Sequence, residues 1–104
     1  LYYNLAVVYQ RLVSDRLDKA TDKFNSLMAE DSPEENSIVT MYDQFKELRV
    51  YVKSARVNFL TSSDLSLDDK SAKESMNAAR EMRKILMQID DIYLPSLSEK
   101  LPKK

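Results

Sequence analysis

The 104-residue chain contains no glycine, no histidine, no cysteine and no tryptophan. Phosphate-binding loops and tight hairpin turns depend on glycine, so its absence argues against nucleotide-binding α/β proteins and sheet proteins. Without histidine the chain lacks the usual general base and the usual transition-metal ligand. Without cysteine it has no disulfide, thiol nucleophile or iron–sulfur ligand. We therefore expect no enzyme activity: no catalytic residues, no cofactor and no metal site.

The net charge and the distribution of apolar residues argue against nucleic acid and membranes, and the chain length indicates the number of domains. The formal net charge is −1, whereas proteins that bind nucleic acid need a basic excess, so we expect no nucleic-acid partner. The apolar start at 1–13 is too short and too polar to span a bilayer, so we expect no membrane span. Residues 1–104 are predicted to form a single domain.

The clearest pattern is a regular apolar seam in the middle of the chain. Its seven residues follow one another at alternating gaps of three and four, which predicts a long helix packed against other helices. Ser32 as N-cap, Pro33 at the first helical position and Glu35 at the third indicate a capping box, so the helix is predicted over 33–61. The central seam consists of Ile38, Met41, Phe45, Leu48, Val52, Ala55 and Phe59.

A less regular stripe precedes it and predicts a first helix over about 1–30. Two gaps of four in succession, at Tyr9, Val13 and Leu17, interrupt the heptad spacing. The alternative is a break near Ser14-Asp15 that would give two shorter helices. The apolar stripe consists of Tyr2, Ala6, Tyr9, Val13, Leu17, Ala20, Phe24 and Leu27.

A third helix is predicted over 67–94, after a polar linker at 61–66. Ser66 is the expected N-cap, and Pro95 should stop or kink the helix, which leaves a short C-terminal tail at 95–104. Within that tail a short docked turn is possible, and 102–104 should be frayed. The third seam consists of Ala72, Ser75, Ala79, Met82, Leu86, Ile89 and Tyr93.

These three stripes predict an all-α protein, an antiparallel up-and-down bundle of three long helices. Short connections make successive helices antiparallel neighbours. A break near Ser14 would turn the same residues into a four-helix bundle.

The candidate docking residues lie beside the central seam. Arg49, Lys53 and Arg56 recur at steps of four and three and form a basic stripe, with Tyr42 on the same side. One interpretation is a solvated flank whose long side chains cover the edge of the core. The other is a docking face for an acidic partner. Asp90 and Asp91, at the unfavourable C-terminal end of the third helix, are expected to pair with nearby Lys or Arg, and a partner contact is the alternative.

Three blocks carry a family resemblance. They are Leu48-Arg49, then Arg56-Val57-Asn58-Phe59 and, after an acidic linker, Lys84-Ile85-Leu86-Met87-Gln88-Ile89-Asp90-Asp91-Ile92. This part of the chain is similar to the PsbQ-type extrinsic proteins of photosystem II. The resemblance implies a helical bundle that docks on a photosynthetic complex without catalysis, and a location in the thylakoid lumen.

A second resemblance lies in the first segment. Tyr3-Asn4-Leu5 with Tyr9 and the apolar positions up to Pro33 look like one tetratricopeptide hairpin, broken near Ser14. It implies a protein–protein adaptor. A helical extracytoplasmic sensor domain is a further alternative.

Taken together, the sequence predicts a non-catalytic helical subunit that docks on a larger protein complex. Its expected partners are proteins, and no small-molecule substrate is evident. Photosystem II is the complex that the resemblance names.

Overall fold

The computed structural model describes residues 1–101 and shows three long helices with a short helical extension. No residue in this range forms a strand. The predicted all-α antiparallel bundle of three long helices is therefore confirmed. The elements are α1 (Tyr2–Met28), α2 (Glu35–Leu65), α3 (Asp69–Gln88), a π-helical turn (Ile89–Tyr93) and α4 (Leu94–Lys100).

Helix α2 is the centre of the bundle. All seven residues of the central seam are buried, as the heptad spacing predicts. Helices α1 and α3 both pack along α2, whereas their own backbones stay apart over almost their whole length. The core thus consists of two helix–helix seams that share α2.

Helix α1 runs without a break from Tyr2 to Met28. The alternative break near Ser14-Asp15 is wrong, and with it the four-helix bundle and the tetratricopeptide hairpin. Ser14 and Asp15 are exposed while the preceding Val13 is fully buried, so the polar pair lies on the solvent face. An apolar stripe that continues past such a pair keeps the helix packed against its neighbour.

The predicted capping box at the start of α2 does not form. The helix begins at Glu35, and its N-cap is Glu34, whose side chain makes no capping hydrogen bond. Glu34 is extended (φ −66°, ψ 136°), and Pro33 disfavours the α region for Ser32. The extended residues carry the chain across the roughly 8–10 Å between neighbouring helix axes.

Helix α2 ends at Leu65, beyond the predicted end at Thr61. The side chains of Asn58, Thr61 and Ser66 donate hydrogen bonds to the carbonyl oxygens four residues earlier. Such bonds satisfy the polar side chains that lie within a helix. The predicted linker at 61–66 is therefore mostly helix, and Ser63 Oγ ties it to α3 through the Ala72 carbonyl at 3.0 Å.

The N-cap of α3 is Asp68, so the prediction of Ser66 is wrong by two residues. The Asp68 carboxylate accepts the backbone N–H groups of Lys70 and Ser71, both at 3.3 Å, and the Ser71 hydroxyl at 3.0 Å. The Ser66 hydroxyl is engaged with the Ser62 carbonyl. A carboxylate also complements the positive end of the helix dipole.

This cap predicts an acid-side loss of stability. The Ser71 hydroxyl and the backbone N–H groups lower the pKa of Asp68 from its ordinary value of 3.8. A lowered pKa in the folded state stabilises the protein above pH 4 and stops doing so as the pH falls through the lowered value. We expect Asp68→Ala to lower the thermal midpoint by a few degrees at pH 7 and much less at pH 2.

The conservative variant Asp68→Asn separates charge from capping, because asparagine is also a good N-cap. It should stay close to wild type at pH 2 and melt slightly lower at pH 7. Thermal melts followed by circular dichroism from pH 2 to 7 measure both variants. Equal losses for Asp68→Ala at every pH would contradict the charge contribution.

The C-terminal segment does not stop at Pro95. A π-helical turn precedes α4, in which Pro95 occupies the first turn, and Leu97 is fully buried. In a regular α-helix, proline removes one hydrogen bond and clashes with the carbonyl four residues earlier. The wider turn, in which the Leu94 N–H bonds to the Ile89 carbonyl, relieves this conflict. The short docked turn predicted as possible within this tail is thus a helix. The prediction of fraying at 102–104 lies outside the described residues.

Two general features complete the fold. None of the described residues has a positive φ angle, which fits a chain without glycine. Among the helices described, none has a long enough apolar stretch to cross a membrane.

Candidate docking surface

The four predicted docking residues fall into different environments. Tyr42 is half-buried and packs against the core, and its ring lies 5.7 Å from Lys46 Nζ in a cation–π arrangement. It covers the edge of the core, as a flanking tyrosine is expected to do.

Arg49 is bound within the protein. Its Nε donates to Asp90 Oδ1 at 2.7 Å and connects α2 to the π-helical turn. The hydrogen bond to Asp90 raises the pKa of the Arg49 guanidinium. The expected pairing with a basic residue is confirmed for Asp90, so Arg49 holds two elements together. Asp91 is exposed and forms no ion pair within residues 1–101.

Lys53 and Arg56 differ from Arg49 in having no carboxylate partner among residues 1–101. Lys53 is exposed and Arg56 is half-buried. The structure therefore divides the predicted stripe into a core-edge part, at Tyr42 and Arg49, and a part with unpaired charge, at Lys53 and Arg56.

On the other side of α2, a surface cluster joins α1 to α2. Arg16 Nη1 donates to Glu47 Oε1 at 2.8 Å, and the Tyr51 hydroxyl donates to the same oxygen at 2.9 Å. Both hydrogen bonds lower the pKa of Glu47, that from Arg16 the more. The Arg16 guanidinium lies 5.1 Å from the centre of the Tyr51 ring, which stacks on Tyr9. No sequence pattern predicts this cluster, because Arg16 lies 31 residues before Glu47 in the chain.

Two concavities lie between α1 and α2. One of about 540 Å³ runs beside the loop between these helices and includes Asp22, Lys23, Glu30 and Thr40 in its wall. A smaller one of about 260 Å³ adjoins it at Lys23. Small-molecule sites usually enclose most of their ligand. The larger groove, which lies along the surface, does not have that form.

The described residues contain no group of three or more acidic side chains placed to hold a metal ion. Their three ion pairs each join one cation to one carboxylate.

A second apolar stripe, formed by the N-cap residue and the first two turns of α1, faces solvent. Leu1, Leu5 and Val8 follow one another at gaps of four and three and are 95, 43 and 54% exposed. The buried face of the same helix carries Ala6 and Val13 instead. Tyr2, interpreted from the sequence as a seam residue, is also exposed, so the seam of α1 begins at Ala6. We call Leu1, Leu5 and Val8 the N-terminal apolar stripe.

Comparison with known proteins adds no relative. No family model matches the chain, and no curated protein and no solved structure shows significant similarity to it.

Proposed function

We propose that this chain is a non-catalytic helical bundle that docks on a larger protein complex. The observation that carries the proposal is the N-terminal apolar stripe. Isolated apolar side chains are common on protein surfaces, but a periodic row of them on a helix whose opposite face is already packed indicates a second contact. A partner protein would bury these side chains.

The shape of the molecule supports a docking function. The described part is an elongated rod of 54 × 23 × 17 Å with charged flanks. Its mechanism is surface complementarity, in which a few apolar side chains supply most of the affinity and the polar rim supplies orientation.

Photosystem II is the complex that we propose for this docking. The support is the resemblance of the blocks Leu48-Arg49, Arg56 to Phe59 and Lys84 to Ile92 to PsbQ-type extrinsic proteins. Of these, Phe59 is buried in the central seam, whereas Lys84 pairs with Glu81 on the surface.

Sedimentation with membranes tests the proposal. Purified chain is mixed with thylakoid membranes stripped of their extrinsic proteins and with liposomes that contain no protein. We expect sedimentation with the thylakoid membranes only. Equal recovery with both would contradict docking on a protein complex, and recovery with neither would contradict photosystem II as the target.

The contact is tested by Leu5→Ser combined with Val8→Ser. Because both side chains are exposed, we expect an unchanged thermal midpoint and at least a roughly tenfold weaker association. The matched control is Val39→Ser with Leu67→Ser, which removes two apolar side chains that are 40 and 106% exposed, on α2 and in the connection between α2 and α3. If the control weakens binding as much, the N-terminal apolar stripe is not the docking surface.

A further inference from the structure

Ion pairs between neighbouring helices lie at the flanks of the two helix seams. At one flanking position two residues of the same charge take the place of such a pair. Arg16 of α1 faces Glu47 of α2, and Arg49 of α2 faces Asp90. Flanking positions of packed helices commonly hold such pairs, which set the orientation of the helices.

The antiparallel register determines which residues follow Arg49 and Asp90. One heptad forward along α2 leads to Arg56, and one heptad backward along α3 leads to Arg83. A heptad step returns to the same side of a packed helix. The hydrogen bond between the Ser62 and Ser75 hydroxyls, at 3.2 Å, shows that the register continues further along the two helices.

Two arginines therefore occupy the place where the fold elsewhere puts an arginine and a carboxylate. Within residues 1–101, neither Arg56 nor Arg83 forms an ion pair. Exposed Lys53 and Arg80 flank them at offsets of three residues. Like charges that face each other destabilise the packing of the two helices. The stability of the bundle therefore does not explain why two arginines occupy these positions.

We infer that Arg56 and Arg83, with Lys53 and Arg80, form a docking surface for an acidic helix of a partner protein. This inference rests on the proposed docking function and names the chemistry of one contact. The guanidinium group binds carboxylates in a fixed, bidentate geometry, and burial by a partner would strengthen those bonds. We call these four residues the basic seam.

The surroundings favour a protein over other anionic partners. Met87 lies one turn beyond Arg83 and is 51% exposed, so an apolar side chain can pack beside the charges. Nucleic acid is a less favourable partner, because phosphate binding depends on basic residues and the chain as a whole carries a net charge of −1. Val50 and Val57 flank Lys53 at offsets of three and four and are 59 and 57% exposed, so apolar side chains also lie beside the charges on α2.

The repulsion can be measured in the isolated protein. Arg83→Glu places a carboxylate opposite Arg56, so we expect a rise of a few degrees in the thermal midpoint at low salt, which 0.5 M NaCl largely removes. In the Arg56→Gln background the same substitution should give a smaller rise. Equal effects in both backgrounds would mean that the two residues do not face each other.

Binding is tested with a fluorescein-labelled helical peptide that carries glutamates at steps of four residues and leucines between them. We expect Arg56→Gln with Arg83→Gln to weaken binding about fivefold or more at low salt. The matched control, Lys19→Gln with Lys23→Gln on α1, removes the same charge from another exposed face. Equal weakening by both pairs would overturn the assignment of the site.

Two competing probes test the class of partner. Vesicles of phosphatidylcholine and phosphatidylserine, or a DNA duplex, should bind more weakly than the peptide, and tighter binding of either would overturn the inference. If the Arg56→Gln, Arg83→Gln double variant still sediments with thylakoid membranes, the assignment of the basic seam as a docking surface is wrong, while the proposed docking function stands. Loss of sedimentation in that double variant, with the α1 control unaffected, supports both.

Discussion

Replacing Phe45 with alanine should lower the free energy of unfolding by about 4 kcal/mol, the largest effect expected for a single substitution in this protein. Phe45 is fully buried at the middle of the bundle. Its ring stacks on Tyr93 with 4.6 Å between ring centres and contacts Phe24 edge-on at 6.0 Å. Alanine would leave a cavity where α1, α2 and the π-helical turn meet.

Urea unfolding followed by circular dichroism measures this loss. Phe45→Leu, which keeps most of the volume, should cost less than half as much. Tyr3→Ala is the control for removal of an aromatic ring, because Tyr3 is 45% exposed. Within residues 1–101, its ring contacts one other aromatic ring, that of Phe59, in an edge-to-face arrangement. A Phe45→Ala variant no less stable than Tyr3→Ala would contradict the central place of this ring.

The second large effect is expected at Leu97, in the segment that the sequence predicted as a tail. Leu97 is fully buried although it follows Pro95 and lies close to the end of the described chain. We expect Leu97→Ala to cost about 3 kcal/mol, because the substitution removes core packing between α4 and α2.

The same substitution at an exposed position is the control. Leu67 is fully exposed between α2 and α3, so Leu67→Ala should change stability by less than about 0.5 kcal/mol. Urea midpoints of both variants decide the question. If Leu97→Ala costs as little as Leu67→Ala, α4 does not contribute to the core.

The sequence correctly predicted those parts of the fold in which one face of a helix is apolar along its length and packs into the core. The central seam is the best example, since seven residues at heptad spacing are all buried. Helix ends were predicted less well, because they depend on competition between neighbouring polar groups. Ser66 illustrates this: its hydroxyl bonds backward to α2, so Asp68 caps α3.

The candidate surface shows a similar division. Periodicity placed Arg49, Lys53 and Arg56 on one side of α2, but only the structure shows that Asp90 engages Arg49. The role that we infer for Arg83 depends on the register between α2 and α3. The sequence does contain the relevant spacing, since Arg83 precedes Asp90 by one heptad, yet that spacing has meaning only once Arg49 and Asp90 are known to touch.

The central position of α2 also has a consequence for how the chain folds. Helices adjacent in the chain are adjacent in space, and the connections between them are short, so closing each helical hairpin costs little loop entropy. Such local topology belongs to the class of proteins that fold in microseconds to milliseconds. Tyr93 is the exception, since its ring reaches back 69 residues along the chain to Phe24 on α1. The aromatic cluster is thus the place where the two hairpins must come together, and we expect it to form last.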